Sequence, residues 1–102
     1  MCDKIYTIEE IKQVLEEILK NEPVKQVILF GSYAKEEADN NSDIDLIIDT
    51  QQKLKGFALL KLICNIQERL QKEVDGFEKS SVIENSKIYE EIEKTGVVVY
   101  EK

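Results

Sequence analysis

Apolar residues first recur at helical spacing: Ile8, Ile11, Val14, Leu15, Ile18 and Leu19 share one side of a helix. Thr7 with Glu10 three residues later has the form of a capping box. A helix is therefore expected from about Ile8 to Asn21, stopping before Pro23. Val24 to Phe30 ends in an unbroken apolar run, Val27 to Phe30, the pattern of a strand buried on both faces. Gly31-Ser32 breaks that run, Tyr33 to Ala38 reads as a short helical turn, and Asp39 to Ser42 as a polar loop. Asp43 to Asp49 alternates, with Ile44, Leu46 and Ile48 on one face and Asp43, Asp45 and Ile47 on the other. A second long helix is expected from about Leu54 to Gln71, with Leu59, Leu60, Ile63, Ile66 and Leu70 on its apolar side. Glu73 to Phe77 reads as a short strand. Ser86 is placed to cap a third helix carrying Ile88, Tyr89 and Ile92 and ending near Thr95-Gly96, and Val97 to Tyr100 as the last strand.

Helices alternating with strands imply an α/β or α+β fold, a small sheet flanked by helices. At 102 residues, one domain over residues 1–102 is expected. Lys and Arg number 14 against 21 Asp and Glu, a net charge of −7, with a pI near 4.7. That balance argues against gripping nucleic acid or an anionic membrane through bulk charge. Phosphates would need local backbone donors or metal ions. No histidine is present, which removes Ser-His-Asp and Cys-His catalysis, an imidazole base and His-ligated metal. Cys2 and Cys64 make neither a zinc site nor a disulfide framework, and read as reduced thiols. Cys64 is expected on a helix core face. The first residues lack the character of a signal peptide, and apolar runs of about four residues are far short of a membrane span. A cytoplasmic location is expected.

The candidate chemistry lies between Gly31 and Asp49. A buried strand ending in Gly31-Ser32, at the start of a helical turn, can offer backbone N–H groups to an anion. Gly31, without a Cβ, allows close approach of a ligand. Asp43 and Asp45 project from the same strand face with Cα atoms about 6.6 Å apart, an arrangement that repels itself unless a cation intervenes. Mg²⁺ takes oxygen ligands of this kind beside substrate phosphates. The alternative is two aspartates facing water. The calcium-loop pattern fails, since counting from Asp39 its glycine position holds Ile44 and its glutamate position Thr50. The P-loop pattern fails because no Gly-Lys-Ser/Thr follows Gly31. What remains is a phosphate turn, ten residues (Tyr33 to Ser42), and two carboxylates on one strand face.

This arrangement resembles the nucleotidyltransferases related to DNA polymerase β, whose signature is Gly-Ser, about ten residues, then Asp-x-Asp. Ser42-Asp43-Ile44-Asp45-Leu46 and the short chain are similar to the minimal nucleotidyltransferase (MNT) domain within that group. The resemblance implies a polymerase β-like fold and a third carboxylate on a later strand. Asp75, in Glu73-Val74-Asp75, matches in order and setting. Asp49 is the rival, but lies about 13 Å beyond Asp45 along the strand and reads as a strand-end residue. Relatives often have Gly-Ser-x-Ala-Arg-Gly where this chain has Gly31-Ser32-Tyr33-Ala34-Lys35-Glu36, and an aliphatic residue where Gly76 follows Asp75. Lys35 keeps a charge without the guanidinium fork. Glu36 adds bulk and negative charge near the turn.

The resemblance further implies a Mg²⁺-dependent transfer of AMP from ATP to a hydroxyl, with two Mg²⁺ ions on Asp43, Asp45 and Asp75. Gly31 and Ser32 would bind the triphosphate, with Lys35 beside them. Tyr33 is a candidate to stack on the base or simply to pack. MNT proteins are typically encoded with HEPN-domain toxins, which implies an antitoxin that adenylylates a tyrosine of its partner. Two rival readings are an antitoxin that neutralises by occlusion alone, and a small-molecule nucleotidyltransferase.

Overall fold

The computed structural model describes residues 5–39, 41–51, 53–54, 56–79, 90, 92 and 94–102. Helix α1 (Ile8–Leu19) starts where the capping box demands. The Glu10 amide donates to Thr7 Oγ1 at 3.1 Å, and the Thr7 amide to Glu10 Oε1 at 3.0 Å. The helix ends two residues short of the expected Asn21, and Glu22 N donates to Leu19 O at 3.0 Å. Ile11, Leu15 and Leu19, spaced by four, are fully buried, each contributing about 1.5–3 kcal/mol by leaving water.

Strands β1 (Gln26–Phe30), β2 (Ile44–Asp49), β3 (Val74–Glu78) and β4 (Val97–Glu101) form one mixed sheet in the order β3-β2-β1-β4. β1 is antiparallel to both β2 and β4, whereas β2 and β3 are parallel. The parallel pair follows from its connection: helix α2 (Phe57–Leu70) carries the chain back across the sheet, as a parallel crossover requires. The alternation expected in β2 holds. Ile44, Leu46 and Ile48 enter the main core with the buried faces of α1 and α2. Ile47 turns to the other side, against Phe30, Ile28, Phe77 and Ile92.

Several expectations need correction. The short helical turn expected over Tyr33 to Ala38 is a run of hydrogen-bonded turns over residues 32–36 that stops two residues early. On α2 the buried residues are Leu62, Ile66 and Leu70, flanked by half-buried Leu59 and Ile63, while Leu60 is 53% exposed. Cys64 is exposed instead of facing the core. It lies two residues from both Leu62 and Ile66, about 200° around the helix from each. The expected third helix is only partly within the described residues. Glu90, Ile92, Lys94 and Thr95 are helical, and Gly96 N donates to Ile92 O at 2.8 Å at the expected end. Ser86, Ile88 and Tyr89, like Cys2, lie outside the described residues. Among the described residues, no helix is long and apolar enough to cross a membrane.

Candidate active site

β1 delivers the chain to Gly31, whose φ of +76° lies in the left-handed region that favours glycine. The next residues coil back on themselves: Lys35 N donates to Gly31 O at 3.2 Å, Glu36 N to Tyr33 O at 3.3 Å and Glu37 N to Ser32 O at 2.9 Å. Gly31 also makes room for a neighbour. A Cβ there would lie 2.5 Å from Asp45 Oδ2, so the carboxylate of Asp45 occupies the space a side chain would take. Cross-strand pairing brings this about, because Phe30, the residue before Gly31, is opposite Asp45.

Asp43 enters from a loop that closes on itself. Asp39 Oδ1 accepts from Asn41 N at 2.9 Å and from Ser42 Oγ at 3.2 Å. Asp39 N donates to Ser42 Oγ at 2.9 Å, and Ser42 N to Asp39 O at 3.1 Å. From sequence, 39–42 reads only as an undifferentiated polar loop. The available signal is an aspartate followed three residues later by serine, a pair able to bond each other's backbone. Ile44 N then donates to Glu73 O at 3.0 Å, which locks the start of β2 to the approach of β3.

That lock sets the register in which Asp45 pairs with Asp75 on the parallel neighbour. Adjacent strands are about 4.8 Å apart, and residues two apart on one strand about 6.6 Å. Asp43, Asp45 and Asp75 therefore belong to one end of one sheet face. Asp43 and Asp75 are exposed and Asp45 is half-buried. Val74, of opposite parity to Asp75, is buried in the core, as a ligand role for Asp75 requires. Among the described residues, however, no three acidic or thiol side chains converge as a ready metal cage. The donor set nonetheless suits a hard divalent ion: carboxylate oxygens only, at one end of one sheet face.

The remaining candidates separate. Asp49 closes the far end of β2, opposite Gln26, where it accepts from Gln51 N at 3.0 Å and has Lys79 Nζ at 3.7 Å. It is a strand-end residue, as expected. Ser32 is half-buried and Lys35 exposed within the turn. Tyr33 is 3% exposed and packed in the main core, with its hydroxyl unpartnered among the described residues, and it has no free face for a base to stack on. Glu36 is exposed and has a φ of +59°. Tyr33 and Glu36 instead border a cavity of about 170 Å³ beside Ile5, Tyr6 and Thr7, which includes none of the three aspartates. Gly76 has a packing reason, because a Cβ there would meet Ile63 Cδ1 at 2.6 Å, under α2.

Residues 9–102 match the family model described as polymerase beta, nucleotidyltransferase. Two curated proteins of Methanocaldococcus jannaschii are similar in sequence. "Putative protein adenylyltransferase MJ1217" is 38% identical over 80 residues, 74% of this chain and 82% of its own length. "Putative protein adenylyltransferase MJ0126" is 34% identical over the same shares. Among solved structures, a toxin–antitoxin with AMP-PNP superposes with a TM-score of 0.75 at 20% identity, over 89% of this chain and 73% of that one. A complex of tri-AMPylated Shewanella oneidensis HEPN toxin with MNT antitoxin gives 0.70 at 17% identity, over 94% and 74%. At such identities these structures bear on the fold, which they share with this chain.

Proposed function

The chain belongs to the polymerase beta nucleotidyltransferase family, and from that premise we propose that it transfers AMP from ATP to a tyrosine hydroxyl of a HEPN-domain toxin, silencing it as an antitoxin. The observation that carries this reading is the register of Asp45 with Asp75, with Asp43 two residues away and the Gly31 turn against Asp45. Three oxygen donors beside an anion-binding turn suit a metal–triphosphate substrate. The relatives named as protein adenylyltransferases, and the structural neighbour in which a tri-AMPylated HEPN toxin is in complex with an MNT antitoxin, support the choice of a protein acceptor.

Asp43, Asp45 and Asp75 would hold Mg²⁺, which supplies neutralisation of phosphate charge and a more acidic acceptor hydroxyl. The turn at Gly31 and Ser32 binds and orients the triphosphate, with Lys35 adding a positive charge at its edge. In the reaction the acceptor oxygen forms a bond to the α-phosphorus as the α–β phosphoanhydride bond breaks. Pyrophosphate leaves and the hydroxyl proton passes to solvent water. No histidine base is needed.

The test is incubation with Mg²⁺, α-labelled ATP and a purified HEPN-domain toxin. Label is expected on the partner and is expected to vanish with Asp43→Asn, Asp45→Asn or Asp75→Asn. Full transfer by Asp75→Asn would remove that residue from the site. Glu36, an exposed acid at the phosphate turn, favours a second reading of neutralisation by occlusion alone. Toxin silencing without label, unchanged by all three substitutions, would establish that reading instead.

A further inference from the structure

The two edges of the sheet differ in how they are guarded. β3 has acids along its length, Glu73 just before it and Asp75 and Glu78 within it, which discourage another strand. β4 runs Val97-Val98-Val99-Tyr100 with neither charge nor proline before Glu101, although it is the other edge strand. Its register with β1 shifts between Val27 and Ile28, yet this irregularity puts no charge on the outer edge. Val98 is 43% exposed. Beside β4 lies a groove of about 520 Å³, bounded on the α1 side by Lys12, Glu16 and Lys20 and on the other by Val98, Val99 and Tyr100.

Lys12, Glu16 and Lys20 recur every fourth residue, so they form one stripe along α1 with alternating sign. Among the described residues none of the three is engaged in an ion pair. An extended partner of a single charge sign would meet both signs on this stripe. A second copy of the same stripe, running in the opposite direction and displaced by one helical turn, would meet its complement at Glu16 and Lys20.

We propose that β4 pairs antiparallel with β4 of a second copy of this chain, about a two-fold axis normal to the sheet, giving one eight-stranded sheet. Such an axis reverses any direction in the sheet plane, so the two α1 helices run antiparallel on the same face. Glu16 of each then faces Lys20 of the other. The contact is isologous and closes on itself. β1 and β2 separate β4 from β3, so both carboxylate rims stay open in the pair.

The test is the mass of the full chain by sedimentation equilibrium across micromolar to millimolar concentrations. The expected result is a reversible species of twice the 11.8 kDa chain mass. A monomer at every concentration would overturn the proposal. Val98→Lys puts a charge on the edge and is expected to weaken association at least about tenfold, with its circular dichroism spectrum unchanged. Glu16→Lys, on the exposed helix surface, tests the same contact if the strand variant fails to fold. It is expected to weaken association alone and to recover it when mixed with a Lys12→Glu, Lys20→Glu chain. Wild-type association by either single variant would refute this geometry. The readout is mass, so its failure leaves the nucleotide-transfer reading untouched.

Discussion

Gly31→Ala tests both demands made on that position. An alanine at φ +76° incurs strain on the order of 1–3 kcal/mol. For a domain of this size each kcal/mol lowers Tm by about 4–8 °C. The contact is a separate matter. The new Cβ would lie 2.5 Å from Asp45 Oδ2, and an ordinary contact begins near 3.4 Å, so the carboxylate must retreat by roughly 1 Å. A misplacement of that size at a reacting centre can reduce rate about 100-fold. Gly56→Ala is the control. Gly56 has a φ of +57° but nothing within 4 Å of where a Cβ would stand, and it caps α2 beyond the opposite end of β2. Both variants are expected to melt earlier by circular dichroism. Only Gly31→Ala is expected to lose transfer of labelled AMP, measured at a temperature where both remain folded. Wild-type transfer by Gly31→Ala would refute the coupling between the turn and Asp45. Equal activity losses in the two variants would reduce the effect to general destabilisation.

Other changes separate neighbouring roles. Glu36→Gly removes a left-handed strain of about 1–2 kcal/mol and adds about 0.5–1 kcal/mol of chain entropy, so thermal melting is expected to show a gain of up to about 1.5 kcal/mol. The same change removes a negative charge at the phosphate turn, and calorimetric titration with ATP is expected to show tighter binding. Tyr33→Phe is expected to leave stability and AMP transfer unchanged, because the hydroxyl it deletes is buried and unpartnered among the described residues. A loss of transfer there would restore Tyr33 to the nucleotide site. Thr7→Ala breaks the capping box and is expected to cost about 1 kcal/mol in chemical denaturation without affecting transfer.

Where side-chain periodicity and chain direction coincide, the sequence is sufficient. The Ile44, Leu46, Ile48 alternation assigns both faces of β2, and thereby the face bearing Asp43 and Asp45, without knowledge of any partner strand. Asp75 comes from the family resemblance, with which its parity relative to Val74 agrees, and the β2–β3 register puts it opposite Asp45. Errors arise where two apolar stripes compete. On α2 the residues Leu59, Leu60, Leu62 and Ile63 are all apolar, and composition cannot say which 100° sector meets the sheet. Cys64 is misplaced along with that choice of sector. Tyr33 poses a similar problem: its position beside Gly31-Ser32 suggests the ligand side, but the coil of the turn directs its ring into the core. Turn handedness is a three-dimensional property that residue spacing alone does not encode.

The same turn explains how the chain departs from its family's glycine pattern without losing the site geometry. The pattern asks for glycine twice, at the positions of Gly31 and Glu36, and the backbone takes positive φ at both, +76° and +59°. At Gly31 the space above the Cα belongs to Asp45, so glycine meets a steric requirement as well as a conformational one. At Glu36 the side chain is exposed, and the requirement is conformational alone. A left-handed residue without a clash costs about 1–2 kcal/mol, which a folded domain can tolerate. A side chain driven into the carboxylate proposed to hold metal would change chemistry as well as stability. Substitution at position 36 with retention of glycine at 31 is therefore the departure expected of a chain still constrained by the placement of Asp45.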